Sequence, residues 1–255
     1  LRARKMNRPL RQKVFGYYVT ASDLNQILMV EKAKMQSFIQ LGYQIEKTGY
    51  INPFTLLILS EINQSYQKAS IELNYRYSYY GRDRGLDIRF FTGCMLKNNS
   101  KADFHALAAS GRSGREEYLY DGTYFDRFSV FPETILSRQM SLSEGGLVSM
   151  MNDSLGFSRW LISISFSSSL PESISRIPVK PFVNLLMNDH HFGQASPLFF
   201  EAGLKTGIWG LLEVYVPLLV SRNIHSISGP FKDRIRFEIK LDYFKKMNKN
   251  VRIGM

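Results

Sequence analysis

Asp189-His190-His191 is the stretch of this chain best suited to hold a metal ion, because it sets a carboxylate beside two imidazoles. No third ligand stands at useful spacing, so we read it as a loop. His105 alternates with Phe104 and Ala106 and is expected on the polar side of its segment; His225 completes the histidines. Glu116, Glu117, Asp121 and Asp126 gather carboxylates near aromatics and could contact a divalent ion or a sugar, although a solvated loop is the simpler reading. Ser110-Gly111-Arg112-Ser113-Gly114 is glycine-rich but lacks the lysine and the strand–loop–helix setting of a phosphate loop, so it reads as a turn. The single cysteine, Cys94, cannot form an internal disulfide, and on an apolar strand face its thiol is expected to be inert. These residues assign no catalytic group, no cofactor and no metal site.

Another set of charges is patterned. Glu72 and Arg76, Asp87 and Arg89, Glu201 and Lys205, and Arg234, Arg236, Glu238 and Lys240 are spaced by even numbers within their segments. Even spacing puts each group on one face of a strand. Mixed signs enclosed by a barrel brace it, and become selectivity elements only where a water path stays open.

The strands that would carry these charges are read from alternation. Ala69, Ile71, Leu73, Tyr75, Tyr77 and Tyr79 alternate with Ser70, Glu72, Asn74, Arg76 and Ser78. After a turn at Gly81–Gly85, Leu86, Ile88, Phe90 and Leu96 continue one face, with Asp87 and Arg89 on the other, as a long antiparallel hairpin would require. Further strands are expected near 34–47, 54–66, 143–152, 158–170, 178–188, 196–206, 208–221 and 232–244, with a weaker one at 104–108. That makes 11 strands, and a twelfth hidden in the irregular stretch 111–142 would give the even number usual for bacterial membrane barrels. Residues 15–33 fit either a short helix capped by Ser22 or an irregular lead-in.

The apolar faces favour lipid over a protein core. Several strands exceed the usual five or six residues and approach the roughly 9–11 that cross a bilayer at a tilt. The apolar faces at 69–79, 86–96, 160–170, 198–206 and 235–243 contain no charge, whereas a Lys or Arg at mid-membrane costs about 2–4 kcal/mol. Ser163, Ser165 and Ser167 belong to the opposite, polar face. Tyr79, Tyr80, Trp160, Trp209, Tyr243 and Phe244 near strand ends would fit interfacial girdles. No run reaches the roughly 18 apolar residues of a membrane helix, and the N-terminal stretch lacks a signal peptide's apolar core.

The net charge of +11 resides in the tails. Ten of the 33 basic residues lie within 1–14 and 245–255, leaving 23 against 22 acidic ones, so a nucleic-acid-binding face is not supported. The expected organisation is a basic lead-in at 1–30, a β-barrel at 31–245 with its long loop at 111–142, and a basic tail at 246–255.

Several stretches resemble the C-terminal β-barrel region of large bacterial outer-membrane proteins whose upstream part is a gluzincin-type zinc aminopeptidase. They are GRDRGLDIRFFTG (81–93), EEYLYDGTYFDR (116–127) with Gln139 and Gly145-Gly146, SRWLISISFSSSLP (158–171), FFEAGLKTGIWGLLEVYVPLLVS (199–221) and DRIRFEIKLDYF (233–244). The resemblance implies the outer membrane of a Gram-negative bacterium and a lipid bilayer as partner. It also implies an upstream peptidase domain of the same protein. Peptidase activity is not carried over, because the His-Glu-x-x-His zinc motif has no match here.

The expected fold is therefore all-β, an antiparallel up-and-down transmembrane β-barrel of about 10–12 strands, whole or partial. It would act as a membrane anchor or scaffold, the C-terminal part of a larger protein. The alternatives are a soluble barrel or sandwich binding a hydrophobic ligand, and the non-catalytic part of a zinc peptidase.

Overall fold

Alternation becomes antiparallel pairing between successive strands. The structure, a computed structural model, describes residues 10–22, 35–49, 51–79, 84–98, 106–112, 117, 119, 124–125, 135–149, 158–170, 178–189, 198–208 and 211–240. Its strands are β1 (Leu10–Ser22), β2 (Met35–Lys47), β3 (Phe54–Ile62), β4 (Tyr66–Ser78), β5 (Gly85–Asn98), β6 (Trp160–Ser168), β7 (Val179–Asn188), β8 (Leu198–Ile208), β9 (Leu212–Val220) and β10 (Arg236–Ile239). Each is antiparallel to the next, and together they form one up-and-down sheet in chain order. The sheet is not closed: among the described strands β1 pairs only with β2, and β10 only with β9. A short helix, α1 (Arg222–Ile227), and a 3-10 turn (Phe231–Arg234) link β9 to β10. No described helix is long and apolar enough to cross a membrane.

Three expectations change. The ambiguous residues 15–22 belong to β1, within the expected lead-in at 1–30. Alternation misses β1 because Val14 and Tyr18 on one face meet Phe15, Tyr17 and Val19 on the other, so both faces are apolar. The expected strands at 104–108 and 143–152 are not strands among their described residues. Residues 106–112 and 139–149 form a folded insertion joined by isolated bridges, Ser110 to Leu147 and Arg112 to Ser141. Ten strands are present among the described residues, and none of them lies within 111–142. Finally, of the strand expected at 232–244 the described residues pair from Arg236 to Ile239, its start being delayed because Phe231–Arg234 turns as a 3-10 helix; 241–244 lie outside the described residues.

Register puts the apolar side chains in rows running across the sheet. Val14, Tyr43, Ile58, Ile71, Thr92, Ile162, Met187 and Leu198 face one another from β1 to β8. The neighbouring row runs Ile45, Leu56, Leu73, Phe90, Ile164, Leu185 and Phe200. This face lies open: Ile71 is 39% exposed, while Arg236 on the opposite face is 9% exposed. Among the described residues on the open face, the register leaves charge only at Lys47 and Lys97, both near strand ends.

The opposite face is covered by the insertion. Gly111 donates to Leu147 O and Leu147 to Ala109 O, while Arg112 and Ser141 exchange backbone hydrogen bonds. The joined segments bury Leu107, Ala109 and Leu147 against Phe91, Leu161, Leu186 and Phe199 of the sheet and Ile224 of α1. A second cluster joins Met140 and Val148 to Phe182 and Tyr215. Each large side chain buried here contributes about 1.5–3 kcal/mol.

Gly145 lies where the two halves of the insertion meet, and a Cβ there would collide with the Ala109 backbone carbonyl. Gly145→Ala should lower stability by about 1–3 kcal/mol. Gly49→Ala, where a Cβ meets nothing within 4 Å, should stay within about 0.5 kcal/mol of the parent. Urea unfolding midpoints of the two variants provide the comparison.

Candidate functional site

Two buried carboxylates, one on the insertion and one on the sheet, hold the covered face together. Glu144 is in a left-handed turn at φ 46°, followed by Gly146 at φ 68°. Its carboxylate accepts from Lys68 Nζ of β4 at 2.6 Å, from Arg112 Nη2 at 2.8 Å and from Ala108 N at 2.6 Å. Its main-chain carbonyl accepts from Arg89 Nη1 and Ser163 Oγ. Burial by itself would raise this carboxyl's pKa, but the charges of Lys68 and Arg112 and the hydrogen bonds from Lys68 and Ala108 outweigh it and hold it at about 2. Glu201, on β8 and 0% exposed, works in the reverse direction: it accepts Val148 N and both Ser149 N and Oγ from the insertion, together with Asn184 Nδ2 of β7.

Beyond the insertion the sheet curls around a cavity of about 770 Å³. Residues of β2 through β10 line it, Leu142 of the insertion reaches it, and Thr48, Gly49 and Pro53 place it at the end with the β2–β3 turn. Three ion-pair groups brace its wall. Arg76 meets Asp87 at 2.6 Å, Arg89 meets Glu72 at 2.9 Å, and Lys240 bridges Glu213 at 2.8 Å and Glu238 at 3.5 Å. Tyr215 donates from its hydroxyl to Glu213 and Glu238, tying the last group to β9.

Most of the expected polar network therefore comes together on the covered face. Glu72, Arg76, Asp87 and Arg89 form adjacent pairs on β4 and β5, and Glu238 joins Lys240. Lys205 lines the same cavity with its ammonium 5.8 Å from the Tyr215 ring centroid. Glu201 is deeper, under the insertion. Arg236 is buried on β10, whereas Arg234 belongs to the 3-10 turn and donates to Gly229 O. The sequence reading missed Lys68, Glu144, Lys180 and Glu213. Lys180 and Glu213 were accessible from even spacing within their strands; Lys68 and Glu144 were not, being 76 positions apart.

The other candidates disperse. Asp189 accepts the backbone N–H of Arg159, while His190, His191 and His105 lie outside the described residues, as do Glu116, Asp121 and Asp126. Glu117 is buried and His225 is exposed on α1. Ser110, Gly111 and Arg112 are part of the insertion rather than a surface turn. Cys94 is partly exposed on the apolar face, between Ala69 and Trp160. No protein-family model matches the chain, and no curated protein is significantly similar to it.

Removing the Glu144 charge leaves Lys68 buried without its partner, so Glu144→Gln should cost about 3–5 kcal/mol at neutral pH in urea unfolding. A carboxyl whose folded pKa is depressed stabilises the fold above its unfolded value and loses that contribution as pH falls through the folded one. The parent should therefore lose stability between pH 4.5 and about 2, and the Gln variant should lose less over that interval.

Proposed function

We propose that this chain is the membrane-embedded part of an outer-membrane protein, an anchor or scaffold whose sheet forms all or part of a transmembrane β-barrel wall. The observation that carries this reading is the open apolar face. Its rows continue across eight strands, and its only described charges, Lys47 and Lys97, fall near strand ends. A contiguous apolar surface of this extent is unfavourable in water and favourable against hydrocarbon.

Three further features support it. β1, β2 and β4 each have 13 residues, more than the roughly 9–11 that a tilted strand needs to cross a bilayer. Trp160 at the start of β6 and Tyr79 just beyond β4 are exposed at opposite ends of the sheet, where aromatic belts would sit. The charged side chains are gathered on the face that the insertion and the cavity enclose. The resemblance of 81–93, 116–127, 158–171, 199–221 and 233–244 to the barrel region of gluzincin-type aminopeptidase-like proteins agrees with this assignment. On that basis the catalytic part would be a separate domain of the same protein, held at a Gram-negative outer membrane.

Partitioning tests the reading. The chain should require detergent for recovery and should show a heat-modifiable band on electrophoresis; recovery in aqueous buffer without detergent would overturn it. Ile71→Arg, on the open face, should cost about 2–4 kcal/mol when the protein is folded into bilayers. An effect within about 0.5 kcal/mol would instead match an ordinary solvent-facing substitution.

A further inference from the structure

Lys180 of β7 and Lys205 of β8 are directly opposite each other in the antiparallel register, and both line the cavity. Like charges in this relation destabilise a sheet. Elsewhere on the wall each Arg on β4 and β5 has its own carboxylate, so the two lysines depart from the local pattern.

The acids that face Lys205 are already engaged. Glu213 is held by Lys240 at 2.8 Å, and Asp87 by Arg76 at 2.6 Å. The other charges facing it, Lys240 and Lys180, add repulsion. Among the described residues no carboxylate comes within 4.0 Å of either Lys180 or Lys205. Tyr215 offers Lys205 its ring rather than an anion. Two lysines thus stand opposite each other at the turn-side end of a cavity wide enough for a small molecule, and the acids nearest Lys205 each also pair with another cation.

We propose that this end of the cavity binds a small divalent oxyanion, held between the ammonium groups of Lys180 and Lys205. Lysine serves as a point-charge partner for phosphate-type oxygens, and two lysines facing each other across one strand pair offer such a ligand two donors. The site goes beyond the anchoring role and does not rest on it, since it requires only the β7–β8 register and the cavity. It gives the cavity a ligand-binding function at the end opposite the insertion.

Equilibrium dialysis with radiolabelled inorganic phosphate, on the full chain at fixed chloride, tests the site; succinate in a parallel arm distinguishes a phosphate ligand from a dicarboxylate. The protein is handled in detergent or, should it stay in solution, without it, so failure of the membrane reading leaves this measurement intact. Saturable binding of one anion per chain is expected for at least one of the two probes. Lys180→Gln and Lys205→Gln should each weaken it by about tenfold or more. The double variant should abolish saturation, while Lys205→Arg and the distant Lys97→Gln should retain it. Circular dichroism on each variant establishes that the sheet is intact. Absence of saturable binding of both probes to the parent, or undiminished binding to a folded double variant, would overturn the proposal.

Discussion

The covered side of the sheet depends on one reciprocal exchange between carboxylates and buried donors. Glu144 reaches from the insertion to Lys68 on the sheet, while Glu201 reaches from the sheet to the backbone amides of Val148 and Ser149. A buried carboxylate without donors is strongly unfavourable. Each of these is therefore a constraint: it is stable only while the insertion sits in this position. The apolar contacts of Leu107 and Leu147 supply attraction without direction, and the carboxylates fix the register.

That arrangement reverses the usual disposition of a soluble sheet. The inner face combines a small apolar core under the insertion with ion pairs around the cavity, and the large aliphatic side chains are arrayed on the open face. In a membrane the two solvents exchange roles, and this polarity becomes the stable one. The ion pairs in the wall then act as cross-braces between neighbouring strands: Arg76–Asp87 and Arg89–Glu72 join β4 to β5, and Lys240–Glu213 joins β9 to the end of β10.

Much of this was legible in the sequence because strand periodicity is local. Six alternating residues from Ala69 to Tyr79 were enough to assign both faces of β4, and the charged positions 72, 76, 87 and 89 then fell on the enclosed side. The insertion was not legible. Its residues are held by backbone hydrogen bonds and by contacts such as Lys68–Glu144 that no period encodes, so Ala106–Ala109 and Ser143–Ser149 mimicked weak strands. β1 escaped notice for the opposite reason: aromatic and aliphatic side chains occupy both of its faces, which erases the alternation that marks a half-buried strand. Ser110–Gly114 looked like a surface turn because glycine signals a change of direction without specifying what packs around it.

The sheet's two margins differ in what they offer another backbone. At β10, Met140 N–H already bonds to the Phe237 carbonyl. At β1, 13 residues have a partner on one side only among the described strands, and Val14 is 80% exposed. Extended chains template the addition of others along such a margin. Addition of another extended chain to this sheet is therefore one-sided, and a second copy docking there would meet it β1 to β1.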